Sequence, residues 1–362
     1  MKQPVAAEVQ GGSMDCGSGL LLMLTRAIRQ IEFGQLLLVH TEEPSVPPDL
    51  HDWARLAGHD IVADTATQPG GPWQVTVRRG TVSVPAPSPD TAGLVFTSGS
   101  PTPVGQRLWL YSNFHCNLAC DYCCAESSPR ANPRLLPVHV AVTAAQQFAE
   151  LGGKELIVTG GEPFLHPEIG PMIIALAEIL PVTVLTNAMV FGRGARLAAL
   201  VCLPRDRVTL QVSLDSATPA LHEKHRGARS HATALAGIAQ ARELGFTVKV
   251  AATLYDTEVE TADELNTLLD TMNIPTTDRI IRPVAQQGFA EQGEHVHIDT
   301  LQPEPTLTAD GVWWHPVAVT DPAMQVATSP LPVSEALDTI RDTLATQDAA
   351  QREGRRHVFR CA

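Results

Sequence analysis

Cysteine, basic charge and long apolar runs are all scarce in this chain. Lys and Arg number 26 against 39 Asp and Glu, a net charge of −13. That balance speaks against a surface built to grip duplex nucleic acid, which needs clustered cations to displace counterions, and leaves room only for a local basic patch. A charge so far from zero serves solubility instead. The longest apolar run, near Leu20–Leu24, is far too short to span a bilayer. The opening "MKQPVAAEVQGGSMDCG" has no apolar core of a signal peptide. The expectation is a cytoplasmic chain with no nucleic-acid and no membrane partner, in a compartment that keeps thiols reduced. No internal repeat of fixed period is present, so the chain is not a stacked array.

What is there divides into four parts. The 362 residues suffice for two or three domains, and 44% hydrophobic content supports real cores. "VPAPSPDTAGLVFTSGSPTPVG", Val84 to Gly105, is rich in Pro, Ser, Thr and Gly and reads as a linker, placed at 83–105. Before it, residues 1–82 read as a compact α/β unit. "AAEVQ", "QLLLVHT", "HDIVAD" and "WQVTVRR" are its strands; "LLLMLTRAIRQI", begun near Ser18, and "PPDLHDWARLAG" are its helices.

Residues 106–295 alternate strand and helix patterns. "RLWLY", "ELIVT", "VTVLT", "VTLQVSL", "FTVKVAATL" and "RIIRPV" read as strands. "HVAVTAAQQFAELG", "EIGPMIIALAEIL" and "HATALAGIAQARELG" read as helices between them. Six such units predict a parallel sheet with outer helices, closed or partly closed as a barrel with its chemistry at the C-terminal strand ends. Residues 296–362 form a tail with a hairpin expected around Asp310-Gly311 and a closing helix in "VSEALDTIRDTLATQ".

Of seven cysteines, four crowd into nine positions of "FHCNLACDYCC", Phe114 to Cys124; Cys16, Cys202 and Cys361 stand far apart. Cys116, Cys120 and Cys123 are spaced C-x3-C-x2-C. On a helix they would line one buried face. Yet the segment follows the first barrel strand and is interrupted by Asn117, Asp121, Pro129 and Pro133, which marks a strand-end loop. A zinc site has a half-site in Cys120-x2-Cys123 but no second pair downstream. Three thiolates can instead hold three irons of a [4Fe–4S] cluster and leave the fourth open.

With this loop, "TGGEP" at the end of the next strand and "QVSLDSATPALHEKHRG" further on, the segment Gln106–Gly293 resembles the radical S-adenosylmethionine (radical SAM) family. The resemblance implies a partial (β/α)6 TIM-like barrel that binds one [4Fe–4S] cluster and SAM, cleaves SAM reductively to a 5′-deoxyadenosyl radical and removes hydrogen from a substrate. It implies Cys116, Cys120 and Cys123 as cluster ligands, with Cys124 a bystander, and Tyr122 as the aromatic before the third cysteine. Gly160, Gly161, Glu162 and Pro163 would form the turn receiving the SAM amino group. Thr186 and Asn187 would end the third strand beside the cofactor. Ser213 and Asp215 would lie near its ribose and methionine portions, and Arg226 would pair with its carboxylate. An electron donor such as flavodoxin or ferredoxin is the implied partner. "RPVAQQGFA", Arg282–Ala290, resembles the sixth-strand end of the molybdenum-cofactor and SPASM-type subgroup.

The first domain resembles the TusA-like sulfur-carrier fold, a small α/β two-layer domain with a reactive cysteine opening its first helix. Cys16 stands there, but Gly17 and Gly19 replace both prolines of the motif. A thiol at a helix start suits persulfide chemistry with a sulfur-relay partner; the lost prolines favour a degenerate domain for docking or substrate binding. The tail resembles a shortened SPASM-like extension, whose Pro-Cys pair is here His315-Pro316, so a second cluster in it is not expected. Cys361 reads as an inert tail thiol or as a hydrogen donor or extra ligand at the barrel mouth. Trp313 and Trp314 would point to opposite faces of a strand, both core or one a substrate wall.

The expected function is a radical SAM enzyme for a small-molecule substrate, one carrying sulfur or selenium on the hint of the first domain. Against it stand a radical SAM peptide maturase and a non-catalytic sulfur-carrier or scaffold protein with a structural cluster.

Overall fold

The computed structural model describes residues 4–14, 20–57, 59–66, 71–80, 106–192, 194–298 and 301–351. Cys16, the linker at 83–105 and Cys361 lie outside the described residues. Those described within Met1–Thr91, Thr253–Pro283 and Thr346–Ala362 form one compact unit, and those within Ala92–Ala252 and Val284–Ala345 the other.

The first unit begins β1 (Val5–Gly12), α1 (Leu21–Gln30), β2 (Leu36–Thr41), α2 (Val46–Leu56), β3 (Asp60–Ala66), β4 (Trp73–Arg78). Its sheet runs β1-β2-β4-β3, with β1 and β2 parallel and the other pairs antiparallel. Leu20, Leu24 and Ile28, spaced by four, put one buried stripe on α1, and Val46, Leu50 and Ala54 do the same on α2. The stripes meet Val9 and the cross-strand pairs Leu37–Val77 and Val39–Val75 in one core. Each such buried Leu or Val contributes about 1.5–3 kcal/mol of transfer free energy.

The second unit is organised by parallel strands. In chain order it has β5 (Arg107–Tyr111), α3 (Val138–Glu150), β6 (Glu155–Thr159), α4 (Ile169–Ile179), β7 (Val182–Thr186), α5 (Gly194–Cys202), β8 (Val208–Ser213), α6 (Pro219–Arg226), α7 (Ser230–Glu243) and β9 (Thr247–Leu254). Then come α8 (Ala262–Thr271) and β10 (Arg279–Pro283), grouped with the first unit, as are the last two residues of β9. Four successive pairs from β5 to β9 are parallel. Leu108–Tyr111 and Leu156–Thr159 are buried at every position, as parallel strands covered on both faces require. Ala141, Ala144, Ala145 and Phe148 make the buried stripe of α3. Helix α5, in "GARLAALVC", is an element the sequence reading did not single out.

The tail adds β11 (Thr306–Thr308), β12 (Gly311–Trp313), β13 (Gln325–Ala327) and α9 (Val333–Gln351). The full order of the larger sheet is β10-β9-β8-β7-β6-β5-β11-β12-β13. The hairpin turns at Ala309-Asp310, one residue earlier than expected, because Thr308 pairs with Gly311. Strand β11 lies parallel to β5, so the tail covers the free edge of the first barrel strand. Oε1 of Glu304 accepts from Arg107 at 2.7 Å and Oε2 from the Trp109 indole at 2.9 Å. Trp313 and Trp314 are both buried, their indoles donating to Thr308 Oγ1 and the Leu301 carbonyl. Both pack in the core. No helix among the described residues is long and apolar enough to cross a membrane.

Candidate functional site

Parallel strands deliver their C-terminal ends to one side of the sheet. There the residues after β5, β6, β7 and β8 meet: the cysteine loop, the Gly160–Pro163 turn, Thr186-Asn187 and Ser213–Asp215. The loop is held by its backbone. Phe114 N–H donates to the Pro133 carbonyl at 2.7 Å, Cys116 N–H to Ser128 at 3.2 Å, and Cys123 N–H to Cys120 at 3.1 Å.

The two glycines of the turn exist for this loop. Gly161 N–H donates to the Asn113 carbonyl and Glu162 N–H to the His115 carbonyl, at 2.9 and 3.0 Å. A Cβ on Gly160 (φ +146°) would stand 2.4 Å from Asn113 O, and one on Gly161 2.3 Å from His115 O. What approaches these glycines is therefore the backbone of the cysteine loop. Gly288 (φ +59°) presses on the other side, where a Cβ would meet Cys123 O at 2.4 Å and Cys124 O at 2.6 Å. Phe289 N–H donates to Cys123 O and Thr320 Oγ1 to Cys124 O. Cys124 takes part here through its backbone.

Glu162 is fully buried. Its Oε1 accepts from Thr186 Oγ1 at 2.8 Å and from Phe164 N–H at 3.1 Å; its Oε2 accepts from Asn187 N–H at 2.9 Å. Burial pushes its pKa up to about 7, against the pull of those three donors. Pro163 opens the single 3-10 turn that Glu162 caps. The Asn187 amide donates to Asn117 Oδ1 at 2.9 Å and reaches Cys116 Sγ at 3.8 Å.

Cys116 is buried, and Cys120 and Cys123 are half-buried. Leu118 N–H points at Cys116 Sγ and Ser127 N–H at Cys123 Sγ, each at 3.4 Å. Burial pushes the Cys116 thiol up to about 12, with Glu162 and the other two cysteines adding to it. Burial pushes Cys120 up to about 11, opposed by Arg226 and aided by Cys123. The sulfurs are thus near enough to repel one another as thiolates, though among the described residues no group of three His, Cys, Asp or Glu is gathered around a single point. Three separate thiols with backbone donors aimed at two of them fit a group that gives each sulfur its own iron. Cationic iron also removes the penalty on the thiolates.

Beside Cys120, one carboxylate unites three of the sequence-predicted residues. Asp215 Oδ2 accepts from the Tyr122 hydroxyl and from Arg226 Nε, both at 2.5 Å, and its Oδ1 from Arg226 Nη2 at 3.1 Å. Burial opposes ionisation of Asp215 most, but Arg226, with help from His222 and Tyr122, holds its carboxyl below the usual range. Burial also drives the Tyr122 phenol well above its ordinary value. Arg226, expected to meet a ligand carboxylate, gives its Nε and Nη2 to Asp215. Ser213 ends β8, half-buried. Sequence reasoning gave no site role to Asn113, Asn117, His222, His225 or Gly288, although all but Asn113 stand in segments it quoted.

Residues 111–272 match the Radical SAM superfamily, so the chain carries a radical SAM domain, of a family that uses a [4Fe–4S] cluster and S-adenosylmethionine. Molybdenum cofactor biosynthesis protein 1 of Drosophila melanogaster is 31% identical over 198 residues, 52% of this chain and 34% of that protein. A GTP 3′,8-cyclase of Streptomyces coelicolor is 35% identical over 148 residues, 37% of this chain and 40% of that one. The chain thus spans well under half of the length of either relative. Among solved structures, native anSMEcpe with bound AdoMet and Cp18Cys peptide shares the fold at a TM-score of 0.51 and 10% identity, over 67% of this chain and 83% of that one.

Proposed function

We propose that this protein is a radical SAM enzyme acting on a small-molecule substrate. The observation that carries the reading is the convergence of three cysteine thiols with the Gly160–Pro163 turn and Asn187 at adjoining ends of parallel strands. When bound, the [4Fe–4S] cluster and SAM would supply reductive cleavage of SAM and a carbon radical that takes hydrogen from the substrate. Cys116, Cys120 and Cys123 would hold the cluster. The chain's own work is positional. Asn187 donates toward Cys116 Sγ and is itself fixed by Glu162. Gly160 and Gly161 let the turn grip the loop, and burial of Glu162 keeps water from these donors.

The first unit supports a finer reading, a TusA-like domain. Its order of strands and helices, β-α-β-α-β-β, and one shared core fit a small two-layer fold of that kind. With Cys16 lacking the flanking prolines, docking or substrate binding suits it better than sulfur transfer, and a substrate containing sulfur or selenium is the class we favour. The β11–β13 tail takes the place of a SPASM-like extension without cysteines among residues 296–351. The curated relatives named as GTP 3′,8-cyclases support small-molecule chemistry over peptide modification.

Anaerobic reconstitution with iron and sulfide, followed by SAM and a strong reductant, tests the reading. Release of 5′-deoxyadenosine is expected, and it should vanish in Cys116→Ala, Cys120→Ala and Cys123→Ala while persisting in Cys124→Ala. A well-formed cluster with no 5′-deoxyadenosine would favour a scaffold.

A further inference from the structure

We propose that Asp215 is a positioning residue that fastens the cysteine loop to α6 by holding the Tyr122 hydroxyl and the Arg226 guanidinium on one buried carboxylate. The proposal rests on reading that loop as the cluster site. Two consecutive loop residues are tied to two consecutive residues of α6. Asp121 Oδ2 meets His225 Nδ1 at 2.8 Å, and Asp121 N–H donates to the His225 carbonyl at 3.2 Å. Tyr122 is tied to Arg226 through Asp215, with the guanidinium also 5.5 Å from the Tyr122 ring centre.

The first tie is half in solvent, since Asp121 is 51% exposed; the second is sealed, with Asp215 at 1%. A sealed charge-assisted pair holds geometry where an exposed one is screened. Helix α6 is well placed to serve as the anchor. Pro219 starts it, Gly227 (φ +97°) stops it, and Arg226 sits in the last turn, where a cation favours the helix. His222, one turn back, accepts the Asp215 N–H at 3.1 Å and fixes the backbone of the carboxylate. Three acceptor positions of Asp215, of about four on a carboxylate, are filled by this chain itself. Its charge also offsets Arg226 next to Cys120, so the two residues act on the sulfur with opposite sign.

Two measurements test this. In metal-free protein, alkylation of Cys120 followed by peptide mapping should speed up at least fivefold in Tyr122→Phe, which deletes a single hydroxyl, and in Asp215→Asn. The double variant should be no faster than the quicker single one, as for residues sharing one interaction. In reconstituted protein, the midpoint potential should rise in Asp215→Asn and fall in Arg226→Gln. General loosening of the loop would move both the same way. Wild-type labelling rates in Tyr122→Phe, or potentials shifting in one direction, would overturn the proposal. Failure of the cluster reading is a separate result: wild-type protein that retains no iron, whatever the labelling rates.

Discussion

Oε2 of Glu162 accepts the backbone N–H of Asn187 at 2.9 Å, and the side-chain amide of that same Asn187 reaches Sγ of Cys116 at 3.8 Å. The carboxylate after β6 thereby orients, from the end of β7, a donor toward the first loop cysteine. Glu162 has a folded pKa of about 7 against 4.5 in an unfolded chain. A raised carboxyl favours the folded state fully below pH 4.5 and loses that contribution as pH rises through 7. In metal-free protein, the unfolding free energy should fall between pH 5 and 8 by about 3 kcal/mol relative to Glu162→Gln, which does not titrate there. Urea titrations of both proteins across that range check it; parallel curves would reject the assignment.

His222 sets a slope of opposite sign. Its Nδ1 accepts the Asp215 N–H, so the ring must be neutral on that side. Burial, then the Arg226 and His231 charges, lower its pKa from 6.5 to about 4, against Asp215 and Glu223. A depressed histidine contributes stability above pH 6.5 and loses it as pH falls through 4. Acidification over that window should cost the wild type about 2–3 kcal/mol more than His222→Asn. Thermal or urea midpoints measured at half-unit pH steps would show whether the two proteins diverge.

Crowding at the glycine turns predicts a graded series. Gly161→Ala forces a Cβ onto His115 O, and Gly288→Ala combines the same clash at Cys123 O with a left-handed backbone. Each should lower stability by about 2–3 kcal/mol and reduce iron retention. Gly192→Ala, which meets nothing within 4 Å, serves as the control and should behave as wild type. Equal midpoints for all three would mean the turn does not grip the loop.

The link between the tail and the first barrel strand is also measurable. Glu304→Ala removes the acceptor shared by Arg107 and Trp109, which are linked to it across nearly two hundred residues. A loss of about 1–3 kcal/mol is expected. Trp109→Phe combined with Glu304→Ala should cost less than the sum of the two singles. Strict additivity would show that the contact is not energetically coupled.

Periodicity and spacing were enough to find much of this molecule. The runs "RLWLY" to "RIIRPV" are the six strands β5–β10, and the near-continuous apolar character of β5, β6 and β7 is what a parallel strand buried on both faces requires. The C-x3-C-x2-C spacing and "TGGEP" located the loop and the turn, since chemistry on iron needs those residue types in local order. Helix α5 escaped notice because its nine residues offer only a short amphipathic run.

Contacts between distant residues were decided by tertiary structure alone. Tyr122 and Asp215 are 93 residues apart, and nothing local to either predicts one as the partner of the other. Gly160 and Gly161 were legible as a close-approach turn, but only the parallel register of β5 and β6 brings Asn113 and His115 against them. The pairing of β11 with β5 likewise follows from an open sheet edge that a linear pattern does not mark. Sequence by itself determined which side chains are available and on which element each lies, because those depend on near neighbours. The fold decided which of them share a carboxylate or a sulfur, because such partners are chosen by where strand ends converge.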